Sequence, residues 1–135
     1  MHVDLDTLEL RSAWLASDPT ARWHVSLAVS GATGAESSAL VYFKLDAGCR
    51  LPRHVDSAEE IMVVLSGSGM STVGERRLDV RAGQLVRIPQ LVPHELRNTG
   101  STSLAAVGFF ASAAPTSTFD EPVMPLGGRV RGMRR

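Results

Sequence analysis

The chain has one cysteine, one tyrosine and two tryptophans in 135 residues, no excess of either charge and no long apolar run. Each shortage excludes something. A single thiol, Cys49, rules out an internal disulfide and fits a reducing compartment, so a cytoplasmic protein is expected. Cys49 itself reads as a small, half-buried packing residue rather than a redox centre. Fourteen basic residues balance fourteen acidic ones, which leaves no field to draw nucleic acid or anionic lipid. The start carries Asp4, Asp6 and Glu9 and lacks a signal-peptide core, and no stretch approaches the roughly 18 apolar residues of a membrane span. The segment ahead of the first strand is short for a helix-turn-helix unit, so a one-component transcriptional regulator is not expected. The length suits one domain with one hydrophobic core.

What is present is a series of short strand patterns. Trp23, Val25, Leu27 and Val29 alternate with His24, Ser26, Ala28 and Ser30, the period of a half-exposed strand. Further strands are expected at residues 40–45, 60–65, 70–73, 77–80, 85–88, 94–98 and 104–110, separated by Asp46-Ala47-Gly48, Gly67-Ser68-Gly69, Gly74-Glu75 and Thr99-Gly100. Short strands with turn signals every eight to twelve residues indicate an all-β antiparallel sandwich or barrel. Leu5 to Leu15 reads either as a short helix or as an irregular arm, ended by Asp18-Pro19. The expected division is an N-terminal arm over 1–22, a barrel over 23–112, and a C-terminal segment over 113–135. That segment's basic end, Arg129, Arg131, Arg134 and Arg135, reads as a solvated tail.

One constellation carries chemistry. Gly48, five residues, His54, one residue, Asp56, three residues, Glu60, six residues and Gly67 form a first block. Gly83, five residues, Pro89, then His94 and Asn98 form a second. Side chains two apart on a strand share a face, so His54 and Asp56 can converge on one point. Glu60 opens the apolar run Ile61 to Leu65, which enters the core. Neutral imidazole and carboxylate are donors that Fe, Mn, Ni, Cu or Zn ions accept. By the same parity, Met62 and Val64 follow Glu60 inward and Leu96 follows His94, giving candidate pocket residues with Tyr42 on a flanking strand. Tyr42 reads equally well as a sheet-surface aromatic. Phe109 and Phe110 cannot be assigned to faces. His2 and His24 have no ligand-spaced neighbour and read as surface residues, His24 also as a possible oligomer edge.

The two blocks resemble the paired motifs of the cupin superfamily, across Gly48 to Asn98. The resemblance implies a jelly-roll (double-stranded β-helix) barrel, and it carries His54, Glu60 and His94 onto three of the family's four metal-ligand positions. The fourth, usually His, is Asp56 here. A second departure is Leu91 where the family usually has Gly, which implies a different turn stiffened by Pro93. Asp56 has three readings: a fourth ligand that makes the site richer in oxygen, a carboxylate that accepts the N–H of a ligand histidine, or the mark of a pocket that has lost its metal.

The resemblance implies a metal-dependent enzyme for a small, largely apolar organic substrate, with dioxygenase-like oxidation first and a non-redox isomerase, cyclase or lyase second. Metal-free acid–base catalysis by His54, His94, Asp56 and Glu60 and a non-catalytic ligand-binding module complete the expectations. His-x-Asp with a distant His is also the facial triad of 2-oxoglutarate oxygenases. Their cation about ten residues beyond the distal His is missing from Ser101 to Ala105, which argues against that reading. Many small members dimerise, so a homodimer is implied, with Trp14 and Leu15 on the arm as a candidate exchanged element.

Overall fold

Alternating apolar residues dictate the architecture seen in the computed structural model, which describes residues 1–132. Among the described residues the regular structure is twelve strands and one turn of 3-10 helix at Gly31–Thr33. The strands are β1 (Arg11–Leu15), β2 (Asp18–Val29), β3 (Ala39–Leu45), β4 (Arg50–Asp56), β5 (Glu60–Ser66), β6 (Ser68–Val73), β7 (Arg76–Arg81), β8 (Leu85–Ile88), β9 (His94–Asn98), β10 (Leu104–Phe110), β11 (Thr116–Met124) and β12 (Gly128–Gly132). No helix among them is long and apolar enough to cross a membrane.

All pairings are antiparallel, in the order β7-β6-β9-β4-β11-β1-β2-β3-β10-β5-β8, with β12 added to β11. The sheet curls until its two ends nearly meet. The turn between β7 and β8 ties them to β5, where Gly83 N–H donates to Val64 O at 2.8 Å and Val64 N–H to Gln84 O at 2.9 Å. The result is a jelly-roll barrel, as expected. Its inside is filled by Trp23, Phe43, Leu45, Met62, Val64, Leu96, Leu104 and Phe119. Each large apolar side chain so buried contributes about 1.5–3 kcal/mol.

The sheet reaches past the expected barrel limits of 23 and 112 at both ends. Residues 11–15 form neither a helix nor a loose arm but β1, paired with β2 and β11. Trp14 and Leu15, expected on an exchangeable arm, are paired within the chain, opposite Arg22 and Asp18. Asp18-Pro19 opens β2 instead of ending an element: Asp18 Oδ1 accepts from Thr20 N–H at 2.9 Å and Asp18 Oδ2 from Arg50 at 3.0 Å. At the far end, β11 lies between β4 and β1. Its residues Thr116–Met124 show no clean alternation, because only Phe119 and Val123 are buried. Arg129 and Arg131 belong to β12 rather than to a solvated tail; Arg134 and Arg135 lie outside the described residues.

Two motif residues act on the scaffold. Gly67, at φ 82°, turns where a Cβ would lie 2.7 Å from Ser103 O. Asn98 is fully buried and spends its amide on three bonds: to Leu45 O at 2.9 Å, to Thr102 O at 2.8 Å, and from Gly100 N–H at 2.9 Å. It thus clamps the turn after β9 to the end of β3. Replacing Asn98 by Ala leaves these groups unpaired, with an expected loss of about 2–4 kcal/mol in chemical denaturation; a loss below about 0.5 kcal/mol would contradict this role.

Candidate metal centre

The site is assembled from β4, β5, β9 and β11. On β4 and β9, His54 and His94 are cross-strand partners, so their rings emerge on the same face. Their centroids lie 4.1 Å apart. Between Leu51 and His54 the register with β9 shifts by one residue, since Leu51 faces Leu96 while His54 faces His94. This bulge lets both Leu51 and His54 face inward and leaves the Pro52 carbonyl beside the imidazole.

Backbone carbonyls determine how both rings present themselves. Pro52 O lies 2.7 Å from His54 Nδ1, and Val92 O lies 2.8 Å from His94 Nδ1. A carbonyl only accepts, so each Nδ1 carries the proton and each neutral ring turns a lone pair inward at Nε2. Asp56 meets these atoms: its Oδ1 is 3.7 Å from His54 Nε2 and its Oδ2 is 3.0 Å from His94 Nε2. Ser117, opposite Asp56 on β11, donates its hydroxyl to Oδ1 at 2.5 Å. Asp56 Oδ2 and His94 Nε2 are buried and have no hydrogen-bond partner. That holds for the neutral ring; the two atoms lie 3.0 Å apart and form an ion pair when His94 is protonated.

Donor atoms of His54, Asp56 and His94 all lie within 4.8 Å of one another. Glu60, the fourth expected ligand, stands outside that cluster. Its Oε1 is 3.5 Å from His94 Nε2, while its other oxygen turns toward Gly108 on β10, where a Cβ would lie 1.9 Å from Oε2. Glu60 therefore needs a glycine at position 108, diagonally across the β5–β10 pair, where Phe110 is its direct partner. Of the readings of Asp56, acceptance of a ligand's Nδ1–H does not fit, because both Nδ1–H groups are spent on carbonyls; what Asp56 accepts without a metal is the Nε2 proton of His94. Asp56 faces the lone pairs, as a ligand does. Two unpaired donor atoms and three converging groups suit a divalent cation held by His54, Asp56 and His94.

The charges agree. Burial, and then the neighbouring His94, pull His54 down to about 4. Burial would lower His94 too, but the carboxylates of Asp56 and Glu60 outweigh it and raise the imidazole to about 10. Burial opposes ionisation of Asp56, yet His94, His54 and Ser117 outweigh it and keep the carboxyl below its ordinary value. Glu60 is pushed up to about 6, first by burial. The centre thus holds positive charge strongly, and without a metal the His94 proton supplies that charge.

Above the centre opens a cavity of about 720 Å³. Its floor is His54, Asp56 and Glu60, and its walls include Trp23, Phe43, Phe110 and Phe119. Phe119 stacks on His54 at 4.7 Å and on Trp23 at 5.2 Å. The exposed residues Glu9, Arg11 and Leu126 mark the mouth.

None of the four expected pocket residues, three from parity and Tyr42 from its flanking strand, lines this cavity. Met62, Val64 and Leu96 do share the inward face, but they belong to the packed core beneath the centre, with only a void of about 10 Å³ touching Met62 and Leu96. Tyr42 is on the opposite face of β3, where Lys44 Nζ lies 5.8 Å from its ring, and it is buried there at 4% exposure, so it is neither a pocket residue nor an exposed surface aromatic. Val41 and Phe43 point inward instead. Phe110 faces the cavity while Phe109 is exposed outside.

The turn at Leu91 also differs from expectation. Leu91 takes φ 62° and so adopts the left-handed conformation that favours Gly, keeping the turn rather than remaking it. Its N–H donates to Asp56 O at 3.0 Å, tying the turn to the centre. His24 lies away from the centre, between Ser12 at 2.9 Å and Asp46 at 3.1 Å. Ser117, Phe119 and Arg131 have no counterpart among the sequence candidates, because β11 and β12 carry no strand signal.

Residues 41–110, just over half of the chain, match the profile of the cupin domain. An uncharacterized protein of Methanocaldococcus jannaschii is 35% identical over 54 residues, which is 40% of this chain and 42% of that relative, so the match spans less than half of either. Among solved structures, the polyketide cyclase RemF of Streptomyces resistomycificus superposes with a TM-score of 0.66 at 19% identity, over 82% of this chain and 78% of that one. Bacillus subtilis oxalate decarboxylase, a protein with Mn(II) centres, superposes with a TM-score of 0.60 at 18% identity, over 68% of this chain and 26% of that one. At these identities the likeness shows the fold.

The Glu60–Gly108 packing is testable by a double-mutant cycle. Gly108→Ala drives a methyl into the Glu60 carboxylate and is expected to cost about 1–3 kcal/mol. In a Glu60→Ala background the cost should fall by more than half. An equal cost in both backgrounds would show that the glycine answers to something other than Glu60.

Proposed function

The chain belongs to the cupin family, and on that premise we propose that it is a metal-dependent enzyme acting on a small, largely apolar organic molecule. The observation that carries this reading is the convergence of three buried donor groups, His54, Asp56 and His94, whose ligand atoms lie within 4.8 Å of one another, with both rings oriented by carbonyls at Nδ1. A buried carboxylate must be matched by positive charge, which a cation held by the three groups would supply in place of the His94 proton.

Two imidazoles and one carboxylate form a donor set that suits Fe(II) or Mn(II) and leaves coordination positions open. Such an ion, when bound, supplies Lewis acidity toward a substrate oxygen and one-electron chemistry toward dioxygen. Oxidation of the dioxygenase type is therefore the first reading. The chain's own residues supply the surroundings: Ser117 orients Asp56, the carbonyls of Pro52 and Val92 keep both Nε2 atoms unprotonated when the rings are neutral, and Trp23, Phe43 and Phe119 keep the chamber apolar.

A specific observation favours a second reading. The Glu60 carboxyl, raised to about 6, stands at the cavity floor outside the ligand cluster, where it can take or give a proton near neutral pH. That arrangement supports a non-redox cyclase, isomerase or lyase, and the Streptomyces neighbour is itself a cyclase.

Elemental mass spectrometry on protein purified without an affinity tag or chelator tests the proposal. Iron or manganese is expected at about one ion per chain, falling about tenfold or more in both Asp56→Asn and His94→Ala. Wild-type protein that stays metal-free after anaerobic addition of Fe(II) and Mn(II) would contradict it. Consumption of dioxygen with substrate separates the two readings.

A further inference from the structure

The cavity is lined by two cations that the proposed chemistry does not use, exposed Arg11 at the mouth and half-buried Arg131. Asp56 on β4 is opposite Ser117 on β11, and Ser117 is opposite Arg131 on β12. Residues directly opposite in adjacent antiparallel strands share a face, so Asp56, Ser117 and Arg131 form one row across three strands, and all three line the cavity. Two strand spacings put Arg131 about 10 Å from Asp56.

Arg131 is half-buried, and its guanidinium is held by neutral groups only. It donates to Val130 O at 3.0 Å and to Val123 O. No carboxylate among the described residues lies within 4.0 Å of it, nor of Arg11, the exposed arginine at the mouth; acidic partners are found on Arg50, Arg53 and Arg87. A guanidinium carries five N–H donors in a planar fork. Two are spent on the backbone, which fixes the group in place, and the rest are available to a ligand. The counter-charges at the cavity are remote from this role: Asp56 and Glu60 are at the floor beside His94, and Glu9 is exposed at the mouth.

From this placement we infer that Arg131 reads a carboxylate on the substrate, so that the ligand of this cavity is an organic acid with a flat apolar body about two fused rings long. The inference rests on the metal-enzyme reading for its floor. The body spans the distance from the centre to β12, against Trp23, Phe43 and Phe119, and its acid group meets the guanidinium. Arg131 thereby selects acids over neutral molecules of the same shape.

The probes are 2-naphthoate and the neutral 2-naphthalenemethanol, titrated calorimetrically into the wild-type protein and into Arg131→Gln and Arg131→Lys, with metal content and thermal midpoint measured on each sample. The wild type is expected to prefer the acid by about tenfold or more, and added salt should weaken only the acid. Arg131→Gln should abolish the preference with less than about a twofold change for the alcohol. Arg131→Lys should keep part of it. No binding of the acid, equal binding of acid and alcohol by the wild type, or an unchanged preference in Arg131→Gln would overturn the inference. If Arg131→Gln fails to fold, the wild-type preference, its salt sensitivity and its partial survival in Arg131→Lys decide the matter. A preference that vanishes on chelation but survives in Arg131→Gln puts the carboxylate on the ion and overturns the role of Arg131, leaving the metal reading intact. A preference lost in Arg131→Gln from a protein that binds no metal supports Arg131 and removes the metal reading alone.

Discussion

A carboxylate shut inside a β-barrel must find positive charge or donors, because removing it from water costs several kcal/mol that nothing apolar returns. Asp56 is 2% exposed, and the structure around it reads as the answer to that constraint. Ser117 satisfies one oxygen. His94 stands by the other and His54 beside the first, both rings turned to these positions by the carbonyls of Val92 and Pro52. The β4 bulge, the turn at Leu91 and the addition of β11 to the sheet all serve to hold this group of atoms in register.

The same arrangement asks the scaffold to tolerate strain. Leu91 occupies a backbone region that costs a non-glycine residue about 1–2 kcal/mol, yet its N–H holds the Asp56 carbonyl. Gly108 gives up side-chain packing so that Glu60 can fit. The lower half of the barrel offsets these costs with dense packing around Leu45, Val64, Leu96 and Leu104, and with the Asn98 clamp. The upper half is left hollow. One end of the molecule therefore supplies stability and the other supplies the chamber.

Much of this was legible in the residues themselves. Period-two alternation located β2, short runs between turn signals located β3 and β5 to β10, parity predicted the convergence of His54 and Asp56, and the resemblance to the cupin motifs added His94. Three features were hidden. β11 and β12 carry few buried side chains, so Ser117 and Arg131 gave no signal, although both lie on the row that leads to Asp56. Parity within one strand orders side chains by face but not by depth, which is why Met62, Val64 and Leu96 were expected in the pocket and are found in the core below. The face taken by Tyr42 was ambiguous because β3 has large apolar residues on both sides, and only its pairing with β2 and β10 decides between Phe43 and Tyr42.

The central claim is that His54, His94 and Asp56 together face one cation. Anomalous diffraction from crystals grown with Mn(II) at neutral pH tests it most directly. The account predicts a single strong peak bonded to both Nε2 atoms and to the Asp56 carboxylate, about 2.0–2.3 Å from each donor. A centre without a peak, or a peak on other side chains with Asp56 still turned to a protonated His94, would contradict it.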